Sequence, residues 1–175
     1  YKTALITISP ITGSHLTSFS LDVVLPGDSQ SMPSRIIEMV LSCPNMTTLS
    51  LSSASIVRQV TILAMGACSW DNLFANSSLI SFIGPVSNNG CTSAMSAFNN
   101  CSLLSYVNDF DLSNASSIDG MFSYCLSLPR ITLTKVPAAV SMVSLFESCI
   151  NLSYAYLGRF NSIISANSAF NTCTR

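Results

Sequence analysis

From Phe74 onward, apolar residues recur in fixed columns. Phe74, Phe98, Phe122, Phe146 and Phe170 stand 24 residues apart. Three residues after each comes Ser77, Cys101, Cys125, Cys149 or Cys173, and three further an aliphatic, Ile80, Leu104, Leu128 or Leu152. An L-x-x-L-x-L pattern then follows: Leu104, Val107 and Asp109; Leu128, Ile131 and Leu133; Leu152, Ala155 and Leu157; and, more loosely, Ile80, Ile83 and Pro85. Alternation within that pattern puts its second and third apolar residues on one face of a short strand. Before each Phe, apolar residues stand four and one positions back: Ala94 and Ala97, Ile118 and Met121, Met142 and Leu145, Ala166 and Ala169. Offsets of three and four predict a short helix or 3₁₀ turn whose inner stripe covers the sheet. No such unit can bury its apolar stripe alone, so the units must stack. The expected fold is an α/β solenoid of leucine-rich-repeat type, with a parallel sheet on one face, short helices or 3₁₀ turns on the other, and a Phe ladder as spine.

The frame extends loosely towards the N-terminus. Met46, Leu49 and Leu51 repeat it after Cys43, as do Leu16, Phe19 and Leu21, and a strand is expected near Ala4 to Ile8. Two insertions absorb the irregular gaps, one around Pro26-Gly27-Asp28-Ser29 and one around Ser69 to Ala75. Met65-Gly66-Ala67-Cys68 reads as a further Phe-x-x-Cys slot. One solenoid therefore covers 1–175, with irregular rungs over 1–73 and regular 24-residue rungs over 74–173. The last repeat stops at Cys173-Thr174-Arg175 with no polar cap in view. A longer array, or head-to-tail stacking of copies, is expected from that.

Composition narrows the function. Only 9% of residues are charged, seven Lys and Arg against eight Asp and Glu, while 49% are hydrophobic. Such a surface carries no basic cluster to grip nucleic acid and none for an anionic membrane. No apolar run approaches the roughly 18 residues of a membrane span. A surface so poor in charge is poorly soluble unless glycans or an assembly cover it, which points outside the cytosol. Five Asn-x-Ser/Thr sequons, at Asn45, Asn76, Asn100, Asn114 and Asn151, fit that reading, and their columns are polar in most rungs.

The segment Ser113-Asn114-Ala115-Ser116-Ser117-Ile118-Asp119-Gly120-Met121-Phe122-Ser123-Tyr124-Cys125 resembles the MF-x-x-C unit of the BspA-like leucine-rich repeats. Leu145-Phe146-Glu147-Ser148-Cys149 and Ala169-Phe170-Asn171-Thr172-Cys173 are similar, and the likeness runs well over 74–173 and loosely over 16–73. Members occur on surface proteins of bacteria, mycoplasmas and some protists. The resemblance implies a leucine-rich solenoid used in adhesion, surface display or partner binding. Ser77 stands where the other rungs carry Cys, and the shortage of charge departs from the bacterial members.

Of the seven Cys, the four that recur every 24 residues do not fit zinc-site spacing. Cys101, Cys125, Cys149 and Cys173 read as small buried fillers, whereas Cys68 and Cys91, beside the irregular stretch, are the better disulfide candidates. His15 is the single histidine, and no nucleophile, base and orienting group can be assembled around it. Asp109 and Asp111 are too few for calcium; Asp71 and Asp119 read as turn or cap residues. Tyr106, Tyr154 and Tyr156 form a candidate ligand face on the sheet. No enzyme and no cofactor is expected. The favoured reading is an extracellular, glycosylated, array-forming structural scaffold whose partners are its own copies or other surface proteins. The alternative is an adhesin or receptor-like module binding a ligand on the concave sheet.

Overall fold

The computed structural model describes residues 4–8, 18–20, 37–43, 48–86, 90–136 and 138–175. The backbone winds as a parallel β-solenoid of about five turns. Strands β1 (Ala4–Ile8), β3 (Ile37–Cys43), β5 (Val57–Met65), β7 (Ser81–Ile83) and β9 (Tyr106–Val107) pair in that order as a five-stranded parallel sheet. In the next two rungs β10 (Arg130–Leu133) pairs with β11 (Tyr154–Leu157), again in parallel. On the return path β2 (Ser18–Ser20) pairs with β4 (Thr48–Ser50), and β6 (Cys68–Ser69) with β8 (Cys91–Ser93). Isolated parallel bridges from Ser117 to Ser141 to Ser165 continue the β6–β8 column. The expected strand at Ala4 to Ile8 is β1.

The interior is the predicted aromatic spine. The rings of Phe74, Phe98, Phe122, Phe146 and Phe170 stack rung on rung, with centroids 5.2, 5.2, 5.7 and 5.3 Å apart. These steps follow the roughly 4.8 Å spacing of paired strands. Phe98, Phe122 and Phe146 are fully buried, and Phe170, on the last rung, is half-exposed. Leu104, Val107, Leu128, Ile131 and Leu133 fill the sheet side of the same core. At the other end of the ladder Trp70, Phe82 and Phe110 thicken it: Trp70 stacks on Phe110 at 5.7 Å, and Phe82 meets Phe98 edge-on at 4.8 Å.

No helix forms among the described residues; the expected helices or 3₁₀ turns are replaced by a run of turns at 71–76, 95–100, 119–124, 143–148 and 167–172. Two backbone facts explain this. Each run has left-handed residues at its second and sixth positions: Asn72 and Asn76, Ser96 and Asn100, Gly120 and Tyr124, Ser144 and Ser148, Ser168 and Thr172. A left-handed residue interrupts a right-handed helix. Alternate amides, moreover, point along the solenoid axis. Ser96, Phe98 and Asn100 donate to the carbonyls of Asp119, Met121 and Ser123 on the next rung, at 2.8 Å each. The amides between them close i to i−3 turns, as Asn99 to Ser96 and Cys101 to Phe98 do. Backbone groups committed to the next coil are lost to an intrahelical ladder.

The frame also shifts at its irregular end. Phe82, not Ile83, pairs with Val107, so Leu79, Phe82 and Gly84 occupy the slots expected for Ile80, Ile83 and Pro85. Phe82 is buried and Ile83 is exposed, because one residue is missing between the Ser77 and Leu79 positions. A one-residue slip turns each side chain of a strand to the opposite face. The stretch from Ser69 to Ala75 is no insertion but a regular turn, in register with 93–99. Leu49 lies in β4 on the return path and Leu51 in the Phe74 column, its amide on the Leu73 carbonyl, so neither is in the five-stranded sheet, whose first three strands are β1, β3 and β5. The Met65-to-Cys68 segment is likewise no Phe-x-x-Cys slot, since Met65 pairs with Cys43 and Cys68 with Cys91. The insertion expected around Pro26 lies outside the described residues.

Candidate functional site

The strand alternation that buries Ile131 and Leu133 turns the intervening residues to solvent. Tyr106, Tyr154 and Tyr156 are each about half-exposed, at 52%, 53% and 50%. Arg130, on the rung between the first two, is the direct register partner of Tyr154 and is exposed. Thr132 faces Tyr156 in the same pairing. The three expected tyrosines therefore share one face, and Arg130 completes the row Tyr106–Arg130–Tyr154.

Past the ends of β10 and β11 the face continues into an open depression of about 380 Å³, lined by Ser113, Thr134, Lys135, Tyr156, Gly158 and Arg159. Gly158 is required by rung packing, since a Cβ there would meet the Thr134 carbonyl at 2.1 Å. The Lys135 ammonium donates to the Val86 carbonyl. The two carboxylates nearby accept from neutral donors. Asp109 accepts the Thr134 amide at 2.8 Å and hydroxyl at 2.6 Å; Asp111 accepts the Ser113 amide at 2.9 Å and hydroxyl at 2.5 Å. Arg130, Lys135 and Arg159 went unremarked in the sequence. Their signal was the repeat frame itself, which sets Arg130 between Tyr106 and Tyr154, and Lys135 one rung from Arg159.

Of the sequon residues, Asn76, Asn100 and Asn114 are exposed and Asn151 is partly so; Asn45 lies outside the described residues. The Asn100 amide nitrogen donates to the Asn76 side-chain oxygen at 2.9 Å, and that of Asn151 donates to the Leu126 carbonyl at 2.7 Å. Asn76 and Asn100 both sit at left-handed turn positions, which Asn tolerates better than most residues.

The thiols have a structural task. Cys101, Cys125, Cys149 and Cys173 each donate to the carbonyl of the Phe on the preceding rung, at 3.0 to 3.2 Å. In the Ser77 rung the hydroxyl lies 3.4 Å from the Cys101 sulfur. Cys68 and Cys91 face each other as register partners on β6 and β8, both buried and both reduced. Burial pushes the Cys101 thiol up to about 11 and those of Cys91 and Cys149 up to about 12. Burial also raises Cys68, Cys125 and Cys173. All six stay protonated near neutrality and so lack the thiolate that nucleophilic chemistry needs.

Asp71 and Asp119 act between rungs as well as within turns. Asp71 accepts the Ser93 hydroxyl at 2.6 Å and the Met95 amide at 2.8 Å; Asp119 accepts the Ser141 hydroxyl and the Val143 amide, both at 2.6 Å. Their own amides donate to Ser69 and Ser117. Ser69, Ser93, Ser117, Ser141 and Ser165 thus form a 24-residue column that the sequence displayed and that the apolar pattern overshadowed. Met95 and Val143 occupy the carboxylate column on the alternate rungs, which keeps like charges two coils apart.

Among the described residues no three His, Cys, Asp or Glu side chains gather as metal ligands, and no helix is long and apolar enough to cross a membrane. His15 lies outside them. No protein-family profile, curated protein or solved structure matches the chain.

Proposed function

We propose that the chain is a non-catalytic repeat scaffold of the BspA-like leucine-rich type, displayed outside the cell, that holds a partner on its sheet face. The observation that carries this reading is the row Tyr106–Arg130–Tyr154 with Tyr156 beside it. Tyr and Arg are the side chains that anchor interfaces, because each offers a large contact area with a polar tip. The Phe-x-x-Cys column supports the family reading, and the exposed Asn76 and Asn114 support glycans on the flank.

The test compares the native chain with Y106A/Y154A on an array of extracellular-matrix proteins and polysaccharides. Binding is expected to fall about tenfold or more in the double variant, while the melting curve stays within about 0.5 kcal/mol of native. Equal binding by both chains would remove the face from consideration.

A second reading, the array-forming structural scaffold, draws on a different flank. Val140 and Ile164 follow one another in a single exposed column, Ile164 at 81% exposure, with its amide on the Val140 carbonyl. Light scattering at rising concentration checks it; a strict monomer throughout argues against lateral or end-to-end assembly.

A further inference from the structure

The turn column gives the stack a direction. We infer that its two ends dock head to tail, a second copy of this chain covering the last rung; this rests on the array-forming reading above and names its contact surface. Among the described residues, the axial amides of the turns donate to carbonyls of the following rung. Leu51 and Ser53 donate to Leu73 and Ala75, and Asn72, Phe74 and Asn76 to Met95, Ala97 and Asn99. Three coils later Ser144, Phe146 and Ser148 donate to Asn167, Ala169 and Asn171. A trans peptide points its N–H and C=O in opposite directions. Each axial peptide therefore turns its N–H towards the C-terminal end of the stack and its C=O towards the N-terminal end.

That polarity selects the occupant. On the last rung the amides of Ala166, Ser168, Phe170 and Thr172 repeat the positions of Met142, Ser144, Phe146 and Ser148, and they have no acceptor among the described residues. The apolar columns reach the same surface uncovered. Phe170 is 48% exposed where Phe98, Phe122 and Phe146 are fully buried, and Ala166 is exposed where Ala94 and Ile118 are buried. β11 pairs with β10 along one edge and, among the described residues, has no partner along the other. At the opposite end β1 and β2 are the outermost strands described, each with one parallel partner. The direction of the column makes that the acceptor end. A second copy laid along the same axis brings carbonyls onto the free amides, sets β1 parallel to β11, and shields the Phe170 layer from water. Two last rungs facing each other would instead oppose donors to donors. Head-to-tail contacts of this kind repeat without closing, so the product is a filament.

Sedimentation velocity of the full chain at rising concentration reads the contact, and the native chain is expected to form assemblies that grow with concentration. F170E and A166E each set a carboxylate in the contact that stays hydrated on a lone chain, so both are expected to lose that growth. Circular dichroism verifies that each variant is folded, and A166E, which leaves the Phe ladder untouched, carries the test if F170E does not fold. Mixing reads the direction. A tail-blocked variant keeps its acceptor end, so it is expected to add to the last rung of native chains, stop them, and shorten native assemblies severalfold. Native assemblies that the folded variant leaves unshortened overturn the head-to-tail direction in favour of paired last rungs. Growth retained by both folded variants overturns the inference, and its loss in V140S/I164S would then leave the array-forming reading standing on its flank. A native chain that stays monomeric at every concentration overturns both.

Discussion

At the scale of single residues, the fold depends on side chains that serve the rung above or below their own. Phe122 touches no solvent and stacks between Phe98 and Phe146 at 5.2 and 5.7 Å. Removing its ring leaves a void that the stacked neighbours on either side are too constrained to close. F122A is expected to lose about 3–5 kcal/mol in urea unfolding; a loss below about 1 kcal/mol would mean that the ladder is not the spine. Asp119 holds two groups of the next coil on one oxygen. D119A is expected to cost about 2 kcal/mol in the same measurement, and D119N less because an acceptor remains. Both positions lie far from Tyr106 and Tyr154 in role, so ligand binding per folded molecule should be unchanged in all three variants.

At the scale of elements, the turn run replaces the helix, and with it comes the cysteine column. The Phe98, Phe122 and Phe146 carbonyls each accept both their own rung's Cys amide and the next rung's thiol, as Phe98 does from Cys101 and Cys125. A small buried donor is needed there, and a thiol supplies one at little desolvation cost. Protonation is therefore part of the architecture. The folded chain holds Cys101 up to about 11 and Cys91 and Cys149 up to about 12, against an ordinary value of 9.0. Below pH 9 both folded and unfolded chains keep these protons, and their stabilising contribution is fully present. Above it the unfolded chain alone releases them, so stability falls by about 1.4 kcal/mol per pH unit for each such thiol until its folded value is reached. Urea midpoints should drop steeply between about pH 9 and pH 11, and C149S should make the decline shallower. A flat profile would show that the thiols are not buried as donors.

For the whole molecule, stability is a sum of rungs and rung-to-rung contacts. Duplicating residues 95–118 adds one complete coil in phase with the Phe, Ser and Cys columns. The enlarged chain is expected to keep its circular dichroism and to unfold at higher urea. Inserting half of that segment at the same place sets every column out of register and is expected to abolish the cooperative transition. Equal behaviour of the two insertions would contradict a stack built by repetition.

The repeat length, the Phe ladder, the first strand and the exposed tyrosines could all be read from the sequence, because a column recurring every 24 residues must face the same way on every rung. The 94, 97, 98 and 101 positions were likewise legible as buried, yet their backbone was not. Offsets of three and four suit a helix as well as a run of turns, and only packing against the next coil decides whether an amide bonds within its rung or across to its neighbour. The register near Phe82 had the same origin: one missing residue is invisible where Ile80 and Ile83 offer an equally apolar frame, and burial in three dimensions chose Leu79 and Phe82. The cations of the candidate face were scattered letters until the coils brought Arg130 beside Tyr154 and Lys135 and Arg159 to one depression. Periodicity sets which side of a coil each residue occupies; the tertiary stack alone decides who its neighbour is, because that contact lies a whole turn of chain away.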